Sequence, residues 1–138
     1  MMKNSNRPPR ILAVNRSLNL LNLFHDILNE QGYEVELSNY TYESLTTIEK
    51  LRPDVIILDF GREGNDEEWL LLKMLKLSPT VATIPILLCM SPLFLMQNQE
   101  DRFRHKNIRL LFNPIDKDEL VDAVHQILSS PLLPTKSK

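Results

Sequence analysis

Short runs of apolar residues recur along the chain and are separated by longer, more polar segments. Four of these runs hold three or four consecutive apolar residues, at positions 11–14, 55–58, 86–89 and 110–112. Uninterrupted runs of this length, rich in aliphatic and β-branched residues, indicate strands that are buried on both faces, as in a parallel sheet. Positions 33–37 (YEVEL) alternate between apolar and polar residues instead, which is typical of an edge strand.

The segments between these runs carry apolar residues at helical spacing. Ser17 is a candidate N-cap for the first segment, and Gly32, a residue suited to the turn that ends a helix, follows it. Asp116, with Glu119 three residues later, is an aspartate version of the capping box and precedes the last segment. The two apolar stripes are Leu20, Leu21, Phe24, Ile27 and Leu28, and Leu120, Val121, Val124, Ile127 and Leu128. Three further helices are predicted at positions 42–51, 67–77 and, with a more polar pattern, 94–105.

Strand and helix thus alternate five times. This alternation predicts a parallel sheet with helices on both faces and right-handed crossovers, which is a doubly wound α/β domain. The domain is expected to span residues 10–130. Residues 1–9 and 131–138 are rich in proline and polar residues, and both are expected to be flexible tails.

Composition indicates a folded domain, with 43% hydrophobic and 25% charged residues among 138. The 16 basic and 18 acidic residues nearly balance, so the chain lacks the positive charge with which proteins bind nucleic acid or anionic membranes. Cys89 is the single cysteine, the first ten residues are polar, and the apolar runs are too short to span a membrane. These features predict a cytoplasmic protein with no direct nucleic-acid or membrane partner.

Three stretches carry a resemblance to a known family. They are PDVIILD at positions 53–59, IPILL at positions 84–88 and NPID at positions 113–116. With the first apolar run, their order and spacing resemble the receiver domain of two-component response regulators, over residues 10–130. The resemblance implies a flavodoxin-like sheet of five parallel strands in the order 2-1-3-4-5, in which ligands bind at the carboxyl ends of the strands.

Asp59 ends the third predicted strand, at the position where receivers accept a phosphoryl group. An aspartate at the end of a strand is also common in turns and helix caps, but the five-unit pattern around it favours the phosphoacceptor interpretation.

The residues that follow the first strand depart from the family. Receivers have two acidic residues here that help to hold Mg²⁺, whereas this chain has Asn15 and Arg16. Magnesium is usually bound through one or two carboxylates together with phosphate oxygens and water, so metal binding is expected to be absent, or weak through Asp59 alone. Arg16 is either an ion-pair partner that stands in for the charge of the metal or a solvated loop arginine.

Three further family positions also differ. Asn113 replaces the lysine that contacts the phosphate; it can donate a hydrogen bond but carries no charge, and it also suits a turn before Pro114. The family's proline bond at this place is cis, so a cis Asn113-Pro114 bond is expected. Met90 replaces the switch threonine or serine, with Ser91 next to it as a shifted substitute or a turn residue, and Leu110 replaces the switch aromatic and is expected in the core.

A small flavodoxin-like enzyme or nucleotide binder is an alternative from another class. The three glycines of the chain form neither the G-x-G-x-x-G fingerprint nor a Walker loop. His25, His105 and His125 show no metal spacing with Cys89 and are expected on helix surfaces. The chain is therefore predicted not to be an enzyme, and no cofactor is expected, with Mg²⁺ needed only if phosphorylation is retained.

The departures around Asp59 favour a stand-alone receiver-like module in two-component (phosphorelay) signal transduction, acting through protein-protein interaction with weak or no phosphorylation. The alternative is an ordinary Mg²⁺-dependent regulator that is phosphorylated on Asp59. Because only about ten residues follow the last helix, no output domain is expected. The partner is then a histidine kinase, a downstream effector or a second copy. In receivers such contacts commonly use helix four, strand five and helix five, here residues 94–126, with Arg102, Arg104 and Asp122 as exposed candidates.

Overall fold

A five-stranded parallel sheet organises the chain in the computed structural model, which describes residues 7–15, 17–39, 44–60, 66–97 and 107–129. The strands are β1 (Arg10–Val14), β2 (Glu34–Ser38), β3 (Val55–Asp59), β4 (Ile86–Met90) and β5 (Ile108–Phe112). The helices are α1 (Leu18–Glu30), α2 (Ser44–Leu51), α3 (Asp66–Leu77), α4 (Pro92–Gln97) and α5 (Lys117–Ser129). The strand order is β2-β1-β3-β4-β5 and every pair is parallel, which confirms the predicted flavodoxin-like fold.

Burial differs between the centre and the edges of the sheet. Every residue of β3 and β4 is buried, and in β1 only Arg10 is partly exposed. The edge strands β2 and β5 hold no fully buried residue. Three of the four apolar runs therefore mark the buried central strands, as predicted for strands covered on both faces. The fourth run, at positions 110–112, was predicted to be buried on both faces, and this is wrong because it lies in the edge strand β5.

The two faces of the sheet hold two separate apolar clusters. On one face, strand residues that include Leu58 and Leu88 pack against Ile48 of α2 and Leu75 of α3. The cluster on the other face joins alternate strand residues to α1 and α5 through Leu21, Phe24, Leu28, Leu120, Ala123, Val124 and Ile127. Each fully buried leucine or isoleucine stabilises the fold by roughly 1.5–3 kcal/mol, so these clusters fix the sheet whose end carries the site described below.

Both ends of α1 carry the predicted signals. The side chain of Ser17 accepts a hydrogen bond from the backbone N–H of Leu20 at 3.2 Å. At the other end Gly32 has a left-handed φ of 91°, its N–H donates to the carbonyl of Asn29, and the N–H of Tyr33 donates to that of Leu28. This pair of bonds is a Schellman motif, which glycine enters without a steric penalty.

The cap of α5 also matches its prediction, since the carboxylate of Asp116 accepts hydrogen bonds from the backbone N–H groups of Asp118 and Glu119 at 3.1 and 3.2 Å. The predicted stripe of α1 was too wide, because Leu20 is 39% exposed on the flank of the helix. The strand predicted at 110–112 begins earlier, at Ile108, since an edge strand tolerates the polar Arg109 that interrupts the apolar run.

Parts of two predicted helices lie outside the described residues. Of the helix predicted at 42–51, the structure describes α2 from residue 44, and of that predicted at 94–105 it describes α4 up to residue 97. Within the described residues no helix is long and apolar enough to cross a membrane.

Candidate functional site

Three polar side chains meet where the central strands end. Asp59 is the last residue of β3, Asn15 directly follows β1, and Asn113 directly follows β5. Asp59 is 4% exposed and Asn15 is 5% exposed. Because the strands are parallel and β3 lies between β1 and β4, their carboxyl ends bring these residues together at one edge of the sheet.

The carboxylate of Asp59 accepts hydrogen bonds from two amides. The Nδ2 atom of Asn15 donates to Oδ2 at 2.8 Å, and the Nδ2 atom of Asn113 donates to Oδ1 at 3.4 Å. A buried carboxylate requires such donors, because an unsatisfied charged group is strongly disfavoured away from water. Both of these donors are neutral amides, so they orient the carboxylate and add no charge beside it.

Asn15 is held at both ends of its side chain and through its backbone. Its backbone N–H donates to the carbonyl of Ser38 at 3.1 Å, which continues the pairing of β1 with β2 by one residue. Its Oδ1 atom accepts a hydrogen bond from the backbone N–H of Ser17 at 2.9 Å. The side chain of Asn15 therefore bridges Asp59 and the residue that caps α1.

Asn113 is positioned by its backbone. Its N–H donates to the carbonyl of Met90 at 2.9 Å, and its peptide bond to Pro114 is cis. The bond to Met90 ties the segment after β5 to the end of β4, and this places the Asn113 amide beside Asp59.

The residues at the switch positions contribute apolar surface. Met90 is fully buried in the cluster that packs on α2 and α3, and Leu110 packs partly buried against the same cluster. Ser91 is partly exposed, and its backbone carbonyl accepts a hydrogen bond from the N–H of Leu95 in the first turn of α4. Leu110 was predicted in the core; it is partly buried and packs against the edge of this cluster, since it lies on an edge strand.

Several predicted residues fall outside the described part of the chain. They are Arg16, Arg102, Arg104 and His105, together with residues 61–65 of the segment after Asp59. The predicted pairing of Arg16 with Asp59 therefore stays a prediction.

Cys89 lies beside Asp59 in the register of β3 and β4 and was not assigned to the site from sequence. Burial, and secondarily the negative charge of Asp59, raise the pKa of the Cys89 thiol well above its ordinary value. The thiol is therefore protonated at neutral pH and is not a nucleophile. Its proximity to Asp59 depends on the register of β3 against β4, which the apolar pattern of the sequence does not set to within one residue.

Two further neighbours were also missed. Phe60 directly follows Asp59, and its ring meets that of Trp69 on α3 edge to face, with centroids 5.1 Å apart. The bond from Ser17 to Asn15 was also not predicted, although an asparagine side chain that accepts from the N–H two residues later is the common Asx-turn.

The described residues do not gather a metal site. They contain no group of three or more His, Cys, Asp or Glu residues close enough to hold a metal ion. His25 is partly exposed on α1 and His125 is exposed on α5. At Asp59 the neighbouring Asn15 presents an N–H donor rather than an oxygen ligand, so this arrangement does not fit a magnesium site built around Asp59.

Solved structures that are similar to this chain include receiver domains and response regulators. A chemotaxis response regulator of Vibrio cholerae is 24% identical, with a TM-score of 0.73 over 88% of this chain and 99% of that chain. The signal receiver domain of a signal transduction histidine kinase from Syntrophus aciditrophicus is 24% identical, with a TM-score of 0.73 over 94% and 97%. A protein assigned as a response regulator from Chloroflexus aurantiacus is 26% identical, with a TM-score of 0.75 over 89% and 99%. No protein-family profile and no curated protein sequence matches the chain.

The chain therefore shares the fold of the response-regulator receivers, and the resemblance predicted from the sequence is confirmed.

Proposed function

We propose that this chain is a receiver-like module of two-component signalling that acts by binding partner proteins, with weak or no phosphorylation of Asp59. One observation carries the proposal: the amides of Asn15 and Asn113 donate to the two oxygens of Asp59. In receivers the corresponding positions hold an acidic residue for Mg²⁺ and a lysine for the phosphate. At these two positions the chain has neutral amide side chains instead of charged ones.

The missing charges matter because a phosphoryl group adds negative charge to an aspartate that is already negative. A unit positive charge at about 4 Å is worth roughly 4 kcal/mol at an effective dielectric of 20. Each 1.36 kcal/mol is about tenfold in rate, so losing one such charge from the transition state slows phosphorylation by up to about a thousandfold. Two neutral amides offset only part of that loss.

The apolar residues at the switch positions support the same proposal. Met90 is buried and Leu110 packs partly buried against the same apolar cluster. Neither side chain has a hydroxyl group that could form a hydrogen bond with a phosphoryl group on Asp59. A phosphorylated Asp59 would lack the usual means of altering β4 and β5, so a phosphate-independent output fits these residues better.

Intact-protein mass spectrometry after incubation with acetyl phosphate and Mg²⁺ tests the proposal, with Asp59→Asn as the control. We expect little or no phosphorylated wild-type protein. A variant that restores the family pattern, Asn15→Asp with Asn113→Lys, should gain phosphorylation that is lost when Asp59→Asn is added. Stoichiometric phosphorylation of the wild type that disappears in Asp59→Asn would overturn the proposal.

The alternative function is an ordinary phosphoaccepting regulator, and the position of Asp59 at the end of β3 favours it. The same experiment distinguishes this alternative from the proposal. Trp69 gives a second readout, since it is the single tryptophan of the chain and contacts the residue after Asp59. A regulator that binds Mg²⁺ should show a saturable change in Trp69 fluorescence on adding Mg²⁺, and we expect none for the wild type.

We also propose that the partner surface lies on β5 and α5, where a second copy of the chain can dock. A groove of about 420 Å³ separates Arg109 and Phe112 of the edge strand from Glu119 and Asp122 of the helix. Phe112 is 39% exposed. In a dimer with twofold symmetry each surface meets itself, so Arg109 of one copy can face the acidic residues of the other.

Light scattering across a range of concentrations tests this surface. Arg109→Glu and Asp122→Arg should each weaken self-association, and the two changes together should restore it. A wild type that stays monomeric at all concentrations would contradict self-association and leave a kinase or effector as the partner. We also propose that the protein is located in the cytoplasm, because a single cysteine cannot form an internal disulfide.

A further inference from the structure

We infer that Asn15 is a positioning residue that couples the state of Asp59 to the first turn of α1. Three successive hydrogen bonds connect the two places. Asn15 Nδ2 donates to Asp59 Oδ2 at 2.8 Å, Asn15 Oδ1 accepts from the N–H of Ser17 at 2.9 Å, and Ser17 Oγ accepts from the N–H of Leu20 at 3.2 Å. The first of these bonds is fully buried.

The amide of Asn15 has one allowed orientation while Asp59 carries its negative charge. Turning the amide over would place its oxygen against the carboxylate and its N–H₂ group against the N–H of Ser17, so that both contacts become repulsive. A charged acceptor also polarises the amide and strengthens the bond at its far end, because linked hydrogen bonds in a buried site reinforce one another. A change at Asp59 therefore alters the bond that Ser17 makes.

Ser17 passes this change to the helix. It is the N-cap of α1, and its carbonyl also accepts the N–H of Leu21 at 3.0 Å. An N-cap contributes about 1 kcal/mol to a helix, enough to change how often the first turn opens. Leu18, on that turn, is 65% exposed, so the coupling reaches the protein surface.

The route through Asn15 differs from the one that receivers use through β4 and β5. The side chains at those switch positions, Met90 and Leu110, lie in the apolar cluster and make no link of this kind. Asn113 also contacts Asp59, but its amide is 3.4 Å away and partly exposed. The shorter and more buried contact leads to α1.

The inference rests on the proposed function only for the idea that Asp59 is the residue whose state matters. The coupling itself is tested without phosphorylation, by substituting Asp59→Asn and measuring backbone amide chemical shifts with two-dimensional ¹H–¹⁵N NMR. Failure of the coupling therefore says nothing about whether Asp59 accepts phosphate.

The Asp59→Asn change is measured in the wild-type, Asn15→Ser and Asn113→Ala backgrounds. A serine at position 15 can still accept the N–H of Ser17 but is too short to reach Asp59, so it preserves the local turn and removes the link. Asn113→Ala is the matched control, because it removes the other amide donor and leaves the link intact. Asn15→Thr, whose hydroxyl can also accept the N–H of Ser17 without reaching Asp59, is the second variant should Asn15→Ser not fold.

We expect Asp59→Asn to shift the amide signals of Ser17 and Leu20 severalfold more in the wild-type and Asn113→Ala backgrounds than in the Asn15→Ser background. Shifts of equal size in all three backgrounds would overturn the inference, because they would show that the charge of Asp59 acts on α1 without Asn15. Loss of the shifts in Asn113→Ala alone would overturn it as well.

Discussion

Replacing Asn15 with alanine removes two hydrogen bonds from the buried end of the sheet. One is the 2.8 Å bond to the Asp59 carboxylate, and hydrogen bonds to charged groups contribute roughly 1.5–3 kcal/mol. The other is the 2.9 Å bond from Ser17, a neutral bond worth roughly 0.5–1.5 kcal/mol. The free energy of unfolding should therefore fall by about 2–4 kcal/mol.

Asn113→Ala provides the comparison on the other side of the same carboxylate. Its amide donates to Oδ1 at 3.4 Å, which makes a longer and weaker bond than the 2.8 Å bond of Asn15, and the residue is partly exposed. Its loss should cost less than about 1 kcal/mol. Each variant deletes one amide donor to the same carboxylate, so the difference between their costs reports the geometry and burial of the two bonds, together with the Ser17 bond that only Asn15→Ala removes.

Urea unfolding followed by far-UV circular dichroism measures both variants, and the midpoint should move without a change in the m-value. Repeating Asn15→Ala in an Asp59→Ala background should reduce its cost by about 1.5–3 kcal/mol, the part that depends on the carboxylate. If Asn15→Ala and Asn113→Ala are equally destabilising, or if Asp59→Ala leaves the cost of Asn15→Ala unchanged, the assignment of the stabilisation to the Asn15 to Asp59 bond is wrong.

Three further predictions concern other features. Gly32→Ala should destabilise the protein by about 1 kcal/mol in the same urea assay, because alanine is strained at φ 91° although no atom lies within 4 Å of its added carbon. Arg52→Gly should stabilise the protein by about 0.5–1 kcal/mol, because Arg52 follows α2 at a φ of 48°, a left-handed conformation that glycine adopts without strain. Arg52→Ala is the control, and an unchanged urea midpoint in Arg52→Gly would contradict this reason. Cys89 should react with an alkylating reagent only after unfolding. Because the pKa of its thiol is raised in the folded state, the unfolded chain loses this proton first, and the free energy of unfolding should decline as pH rises above the ordinary thiol pKa. Cys89→Ala should remove that part of the decline.

The central strands and the order of the elements could be predicted from sequence, because a strand that is buried on both faces is a continuous run of apolar residues. Residues 55–58 and 86–89 are continuous apolar runs, and both proved to be buried strands. Strand β5 was harder to bound, because an edge strand accepts the polar Arg109 inside it. Caps were predictable at Ser17 and Gly32 because they depend on neighbouring residues only.

The details of the candidate site were less accessible. Asn15 was assigned as the loss of an acidic residue, but its role as a donor to Asp59 depends on two residues that are 44 positions apart. Such a contact follows from the register of β1 against β3, which the apolar pattern does not set to within one residue. The placement of Cys89 beside Asp59 was not predicted either, because it depends on the register of β3 against β4.

The complete burial of β3 and β4 has a consequence for the timescale on which the Asp59 backbone can move. Amide protons in strands that are covered on both faces exchange with solvent mainly when the whole domain unfolds, whereas those near helix ends exchange through local opening. Hydrogen exchange along β3 therefore records the global stability of the fold. We therefore expect Asp59 to be among the slowest-exchanging of the described residues, so a change at Asp59 should reach the surface through its side-chain hydrogen bonds.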